Sequence, residues 1–261
     1  MTDYVELHCH SNYSFLDGAS FPHELLLGAK ELGYRALALT DHDNLCGALE
    51  FAHLARDLGL KPIIGAEVTL KGGSHLTLLT ADRKGYTNLC RLLSFAHIFS
   101  QRRHPELDPR LLPEHAEGLI VLSGCRNGEI ARLVAQGQLD QAKAVAKQFL
   151  DWFGHNFYIE LQQNLVRGDT RRNRLLAMLA RELGVGLVAT NNVHYHVRER
   201  HRLQDALVAI RNCQSLDETH QERRPNSEFF LKGPREMASL FRWCPEAVAN
   251  TLRIADACTF D

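Results

Sequence analysis

Short apolar blocks punctuate the chain and alternate with longer stretches whose apolar residues recur at helical spacing. The blocks VEL (5–7), RALALT (35–40), KPIIGAEVTL (61–70), HLTLLT (75–80), GLIVLS (118–123), FYIEL (157–161) and GLVAT (186–190) have the length and composition of strands. Gly72-Gly73 predicts a hairpin turn between the third and fourth blocks. Helices are predicted over 21–32, 45–58, 86–99, from about 129, and over 139–153 and 169–183. In the first of these, Leu25, Leu26, Ala29 and Leu32 share one face, and Ser20 with Glu24 offers a capping signal. Gly33 and Gly59 end the first two helices. Residues 101–113 are polar and contain prolines, so they read as a loop with at most one helical turn. From about 196 to 261 the chain is mostly helical, with a loop around 222–227.

Strand and helix repeated in this order predict an α/β fold with a largely parallel sheet, too long a repetition for a small open sheet. The expectation is a distorted barrel spanning residues 1–261 as one domain, a size common for α/β barrels. Composition agrees, with 45% hydrophobic and 23% charged residues among 261. A net charge of −1, with 14 histidines taken as neutral, gives no general attraction to nucleic acid. The chain opens without a basic, apolar leader, and no apolar run approaches the roughly 18–20 residues that span a bilayer. Its seven cysteines are scattered and lack CxxC spacing, which points to a reducing compartment. A cytoplasmic protein without a membrane partner is expected.

The chemistry collects just after the apolar blocks. VEL leads into His8-Cys9-His10, RALALT into Asp41-His42-Asp43, KPIIGA into Glu67, GLIVLSG into Cys125, and GLVAT into Asn191-Asn192-Val193-His194. In parallel α/β folds the carboxyl ends of strands form the site, so five strands would deliver donors to one rim. His8 and His10 flank Cys9, a spacing that puts both imidazoles on one side of an extended backbone. Two imidazoles there suit zinc, manganese or iron, or are simply surface histidines on an edge strand. Glu67 follows a buried run and is costly there unless paired or metal-bound. Asp17 lies in Ser14-Phe15-Leu16-Asp17-Gly18, which also reads as an ordinary turn. Cys125 reads equally as an inert buried thiol. His75 sits at the start of its block, against the pattern, unless that block runs antiparallel. Asp41 and Asp43 could orient imidazoles, or Asp43 could cap the following helix. Arginines recur at Arg102-Arg103, Arg171-Arg172, Arg198, Arg200, Arg202 and Arg223-Arg224. Most read as a solvated face; Arg198, Arg200 and Arg202 follow His194 and His196 closely enough to be candidate phosphate or DNA contacts.

LHCHSNYSFLDGAS, LTDHDNLCGALEF, KPIIGAEVTL, LSGC and ATNNVHYH, in this order, resemble the polymerase and histidinol phosphatase (PHP) domain. The resemblance is strongest to the amino-terminal domain of bacterial C-family DNA polymerases, the DNA polymerase III alpha subunits, and within them to the error-prone branch. It extends into LQDALVAIRNCQSLDE, FFLKGPREMASLF and PEAVANTLRIADAC. It implies a distorted seven-stranded β/α barrel with up to three divalent ions (zinc, manganese or iron) held by His8, His10, Asp17, His42, Glu67, His75, Cys125, Asn192 and His194. Glu67 would bridge two ions. Asn192 departs from the aspartate usual at that position and should weaken the ion it serves.

The implied activity is 3′–5′ exonuclease-type hydrolysis of DNA phosphodiesters, with Glu67, His10, His42 and His194 central to it and metal ions generating the nucleophile. The implied partners are DNA, the polymerase core of the same protein and other replication or repair proteins. Three other readings stay open: a structural or interaction domain that metals only stabilise, a phosphomonoesterase of the histidinol phosphatase type, and an unrelated amidohydrolase barrel, which HxH and DxH-like motifs also fit although no lysine is placed as a carbamate bridge. The tail speaks against the second. A chain of this length has no room for a polymerase core, so by itself it should not synthesise DNA.

Overall fold

The buried apolar runs pair with one another in chain order. In the computed structural model, which describes residues 3–260, six strands form one curled sheet: β1 (Ala36–Leu39), β2 (Lys61–Leu70), β3 (Ser74–Thr80), β4 (Leu119–Leu122), β5 (Phe157–Gln162) and β6 (Gly186–Thr190). Pairing is parallel for β1–β2, β4–β5 and β5–β6, and antiparallel for β2–β3 and β3–β4. The hairpin across Gly72 and Gly73 (φ 91° and 74°) therefore forms as predicted. It makes β3 the strand that runs against the others.

Among the described residues six strands stand where seven were expected. Residues 5–7 do not form a regular strand: the N–H of Val5 goes to the Thr251 hydroxyl at 3.3 Å and that of His8 to the Glu6 carboxylate at 3.0 Å, not to a neighbouring strand. Extended backbone still runs here. The N–H groups of Ala38 and Thr40 donate to the carbonyls of Glu6 and Cys9, while those of His10 and Val193 donate to the carbonyls of Val193 and His8. The segment thus lies hydrogen-bonded between the end of β6 and β1.

Helix α1 (Pro22–Glu31) precedes β1, and α2 (Ala48–Asp57), α3 (Arg83–Ile98), α4 (Glu129–Ala135), α5 (Leu139–Phe153) and α6 (Asp169–Leu183) intervene between the strands. Phe21 rather than Ser20 is the N-cap of α1, with the Glu24 carboxylate accepting its N–H at 3.0 Å; the Ser20 hydroxyl is spent on His196. Residues 101–113 hold short 3-10 turns at Pro109–Leu111 and Pro113–His115, the second beginning at the end of that stretch. Then come α7 (His201–Arg211), α8 (Pro234–Leu240) and α9 (Pro245–Ala257), with the loop between α7 and α8 wider than expected.

The last helix closes one end of the sheet. Ile254, Ala255 and Cys258 join Val5, Leu7, Ala36, Ala38, Ile63, Leu79, Ile120, Leu122 and Val188 in one buried apolar cluster. Polar anchors hold it there: Lys61 Nζ donates to the Ala255 carbonyl at 2.6 Å and Asn250 Nδ2 to that of Leu187 at 2.7 Å. Lys61 and Leu187 lie at the starts of their strands, so α9 seals the end opposite the strand termini that carry the donors. No helix among the described residues is long and apolar enough to cross a membrane.

Candidate metal centre

Side chains from both strand directions meet at the open end. His42 follows β1, Cys125 follows β4, and Asn192 and His194 follow β6. His75 opens β3, which runs the other way and so begins where its neighbours finish. It pairs with Thr69, two residues beyond Glu67. Gly124 (φ 86°) makes the approach of the β4 loop to β3 possible, since a Cβ there would collide with the His75 carbonyl.

Glu67 is the hub. Its Oε1 lies 3.3 Å from His8 Nε2 and 3.3 Å from His75 Nδ1; its Oε2 lies 3.0 Å from His42 Nδ1 and 3.6 Å from His10 Nε2. Yet Glu67 Oε1, His8 Nε2 and His10 Nε2 are buried with no hydrogen-bond partner, so proximity here is without hydrogen-bond alignment. Buried polar atoms are seldom left so, and several orphans aimed at one point are what a bound cation would satisfy. Three overlapping groups have ligand atoms within 4.8 Å of one another: His8, His10 and Glu67; His42, Glu67 and His75; and His10, His42 and His194. Donor type and mutual distance both fit divalent ions.

Asp17 serves the third group. The turn that contains it is built by Ser14, whose carbonyl takes the N–H groups of Asp17 and Gly18. Its Oδ2 lies 3.2 Å from both His42 Nε2 and His194 Nε2. Cys125 Sγ is 3.5 Å from His75 Nδ1. Asn192 adopts a left-handed backbone (φ 50°), which asparagine tolerates better than most residues, and its carbonyl accepts from His194 Nδ1 at 2.8 Å. Its side-chain Oδ1 is buried without a partner. All nine residues expected as ligands therefore sit in one region.

The electrostatics follow from that crowding. Burial alone would raise the Glu67 carboxyl, but His75, His8 and His42 hold it well below its usual range. Asp17 likewise stays ionised against its burial, through Arg224, His194 and His42. Burial and neighbouring imidazoles push His10 well down, and burial with Arg224 lowers His194 to about 4, leaving both neutral with lone pairs. His8 is the exception. Burial opposes its charge, but Glu160 and Glu67 raise it to about 10.

Glu160 was not singled out in the sequence, although an acidic residue inside the apolar run FYIEL is a signal. Its Oε1 receives His8 Nδ1 at 2.7 Å and Gln162 Nε2 at 2.7 Å, and also takes the Thr190 hydroxyl. It fixes the imidazole so that Nε2 faces Glu67. Asp41 acts one step removed: its carboxylate takes the Ser14 hydroxyl at 2.7 Å, and Ser14 Oγ lies 3.1 Å from His10 Nδ1. Asp43 neither caps α2 nor orients an imidazole of the cluster; its carboxylate accepts the Thr69 N–H and hydroxyl.

A cavity of about 680 Å³ stands over the cluster and is lined by Arg126, Arg211, Arg223 and Arg224. None of the expected phosphate contacts lines it. Arg198 pairs with Glu228, Arg200 pairs with Glu24, and Arg202 is exposed. Near His194 in sequence, these side chains are carried away from the cavity as the chain turns into α7.

The family model described as the PHP domain matches residues 6–164. The chain is 44% identical to the error-prone DNA polymerase of Symbiobacterium thermophilum over 98% of its own length and 25% of that protein. It is 40% identical to the DNA polymerase III subunit alpha of Thermus aquaticus, over 99% of its length and 23% of that protein. It thus spans about a quarter of the length of these relatives. A solved structure from Bifidobacterium adolescentis, of a protein named for metal-dependent phosphoesterase activity, shares the fold with a TM-score of 0.52 at 17% identity, covering 74% of this chain and 88% of that one. With the match extending over more than half its residues, the chain belongs to the PHP domain family.

Proposed function

We propose that this chain is the PHP domain of an error-prone-type bacterial DNA polymerase III alpha subunit, working in the cytoplasm, and that it hydrolyses phosphodiester bonds at DNA 3′ ends with divalent metal ions. The observation that carries the reading is one buried carboxylate, Glu67, ringed by four imidazoles beneath an arginine-lined cavity. The similarity to polymerases supplies the context of DNA, a polymerase core and other replication or repair proteins as partners. The packing of α9 and the backbone bonds of residues 5–10 support reading the whole chain as one barrel-like domain, the segment before His8 serving as its seventh stave.

His8, His10, Asp17, His42, Glu67, His75, Cys125, Asn192 and His194 would hold the ions, three at most. Bound zinc, manganese or iron would supply Lewis acidity toward the phosphate and its attacking water. The chain's own residues do the rest. Glu67 stays ionised between two ligand groups, His10 and His194 offer neutral nitrogens, and Glu160 and Ser14 hold His8 and His10 in orientation. Arg211 and Arg126 at the cavity wall provide positive charge for a nucleic-acid backbone.

A second reading is favoured by Asn192: an amide in place of a carboxylate removes a negative charge and fits a domain whose ions stabilise structure without hydrolysis. Elemental analysis of the purified chain, with 3′ exonuclease and phosphomonoesterase assays on wild type, His10→Ala, Glu67→Ala and Arg211→Ala, separates the two. The nuclease reading expects metal-dependent release of nucleotides, abolished in the first two variants and weakened through KM in the third. Bound metal without metal-dependent hydrolysis would leave the structural reading standing alone.

A further inference from the structure

The loop between α7 and α8 returns Arg224 over the end of β6. The guanidinium stacks on the Phe229 ring, 4.8 Å from its centroid, and the side chain is only 19% exposed. One Nη donates to His194 Nε2 and lies 3.3 Å from Asp17 Oδ2. The tautomer of His194 makes this contact consequential. Its Nδ1 faces the Asn192 carbonyl, which can only accept, so the proton is on Nδ1 and Nε2 offers a single lone pair. That lone pair serves the guanidinium or a metal ion, not both. Asp17 Oδ2 is shared in the same way, since it faces Arg224, His42 and His194 together.

The three ligand groups are therefore unequal. Two contain Glu67, which Arg224 does not contact. The third, His10 with His42 and His194, holds no carboxylate of its own and depends on Asp17. Arg224 holds both Asp17 and His194 and brings a permanent positive charge to the place a divalent ion would take.

We propose that Arg224 is an internal rival of the metal for the Asp17–His194 arm, so that the chain retains two divalent ions tightly and admits a third only when the guanidinium leaves. This rests on the metal-binding reading above. The positive charge at this corner of the cavity then belongs to the protein itself.

The test is metal binding rather than turnover. Metal-free wild type, Arg224→Gln and Arg224→Lys are titrated with Mn²⁺ by calorimetry, and ion content is counted after gel filtration. Wild type should retain two ions per chain. Arg224→Gln should retain three, the third bound about 10- to 100-fold more tightly than in wild type, the range spanned by a hydrogen bond to a charged group. Arg224→Lys, which keeps charge but loses the fork, should fall between. Three tightly held ions in wild type, or a third ion no tighter in Arg224→Gln, would overturn the inference. Should Arg224→Gln not fold, His194→Ala decides: an unchanged count of two supports rivalry, and a fall from three to two refutes it. No metal in any of these proteins would overturn the metal centre and this inference with it.

Discussion

Replacing Glu160 by glutamine tests whether the support beneath His8 matters for the centre above it. The change is close to isosteric and the surroundings make it clean. Glu160 Oε1 accepts from His8, Gln162 and Thr190, whereas Oε2 is buried without a hydrogen-bond partner. The new amide can keep its oxygen at the Oε1 position and place NH₂ where Oε2 stood. The contacts survive and the negative charge is lost.

Two consequences of that loss oppose each other. Without the carboxylate, His8 gives up its proton more readily, which helps any ion that must displace it. But the same carboxylate makes His8 a more basic ligand and attracts an ion of charge +2 more strongly than a proton of charge +1. The ion therefore loses more than the proton does, and affinity falls. Removing such a carboxylate partner of a ligating histidine typically costs 10- to 100-fold in metal affinity, about 1.4–2.7 kcal/mol. Competition with a chromophoric chelator for Zn²⁺ or Mn²⁺ measures it in wild type and Glu160→Gln at one pH. Equal or tighter binding in the variant would refute the assignment of Glu160 as the group that prepares His8.

The remaining expectations concern charge, packing and linkage. Asn192→Asp places an anion where a buried amide oxygen lacks a partner; tighter retention of the ion it serves is expected in chelator competition, and no gain would show that the amide is not the weak point. Ile254→Ala empties part of the apolar cluster that α9 shares with the starts of the strands, so urea denaturation should show a loss of about 2–5 kcal/mol, and a loss below 1 kcal/mol would mean that α9 is only loosely seated. Exhaustive chelation should lower Tm, because an ion at a hundredfold excess over its Kd adds about 2.7 kcal/mol to the folded state; an unshifted Tm in differential scanning calorimetry would contradict tight binding.

The parts of the fold legible in the sequence are those set by local pattern. RALALT and GLVAT announce strands, and Gly72-Gly73 announces the turn that reverses β3 and rescues His75. The site was legible where the same pattern delivers it, at strand ends. What escaped depends on tertiary contacts. Residues 5–7 look like a strand by composition, but their partners come from afar: the Val5 N–H goes to Thr251, and the Glu6 carboxylate takes the N–H of Asn191, 185 positions away. Ser20 looks like a cap, yet its hydroxyl is claimed by His196 from across the fold. The placement of the arginines likewise depends on tertiary contacts. Proximity along the chain favoured Arg198–Arg202, while Arg224 arrives through a loop whose path no periodicity announces.

The division of labour between the two ends of the sheet explains why so dense a set of ionisable groups is tolerated. At the starts of the strands Ala36, Ile63 and Val188 share one apolar cluster with α9, so this end supplies cohesion, and its polar groups are tied down by the Lys61 and Asn250 bonds. Toward the other end the inward positions change character, with Glu67, His8, His10 and Thr77 buried in place of aliphatics. Glu67 and Thr77 are directly paired across β2 and β3, so one hairpin carries this change. A buried carboxylate on a rigid, fully paired strand cannot relax toward solvent, and the imidazoles around it come from backbone fixed by β1, β6 and β3. The unsatisfied atoms at the centre are consequently held apart by the scaffold rather than collapsed onto one another. That persistence, more than the identity of any single ligand, is what makes the cluster able to receive a cation.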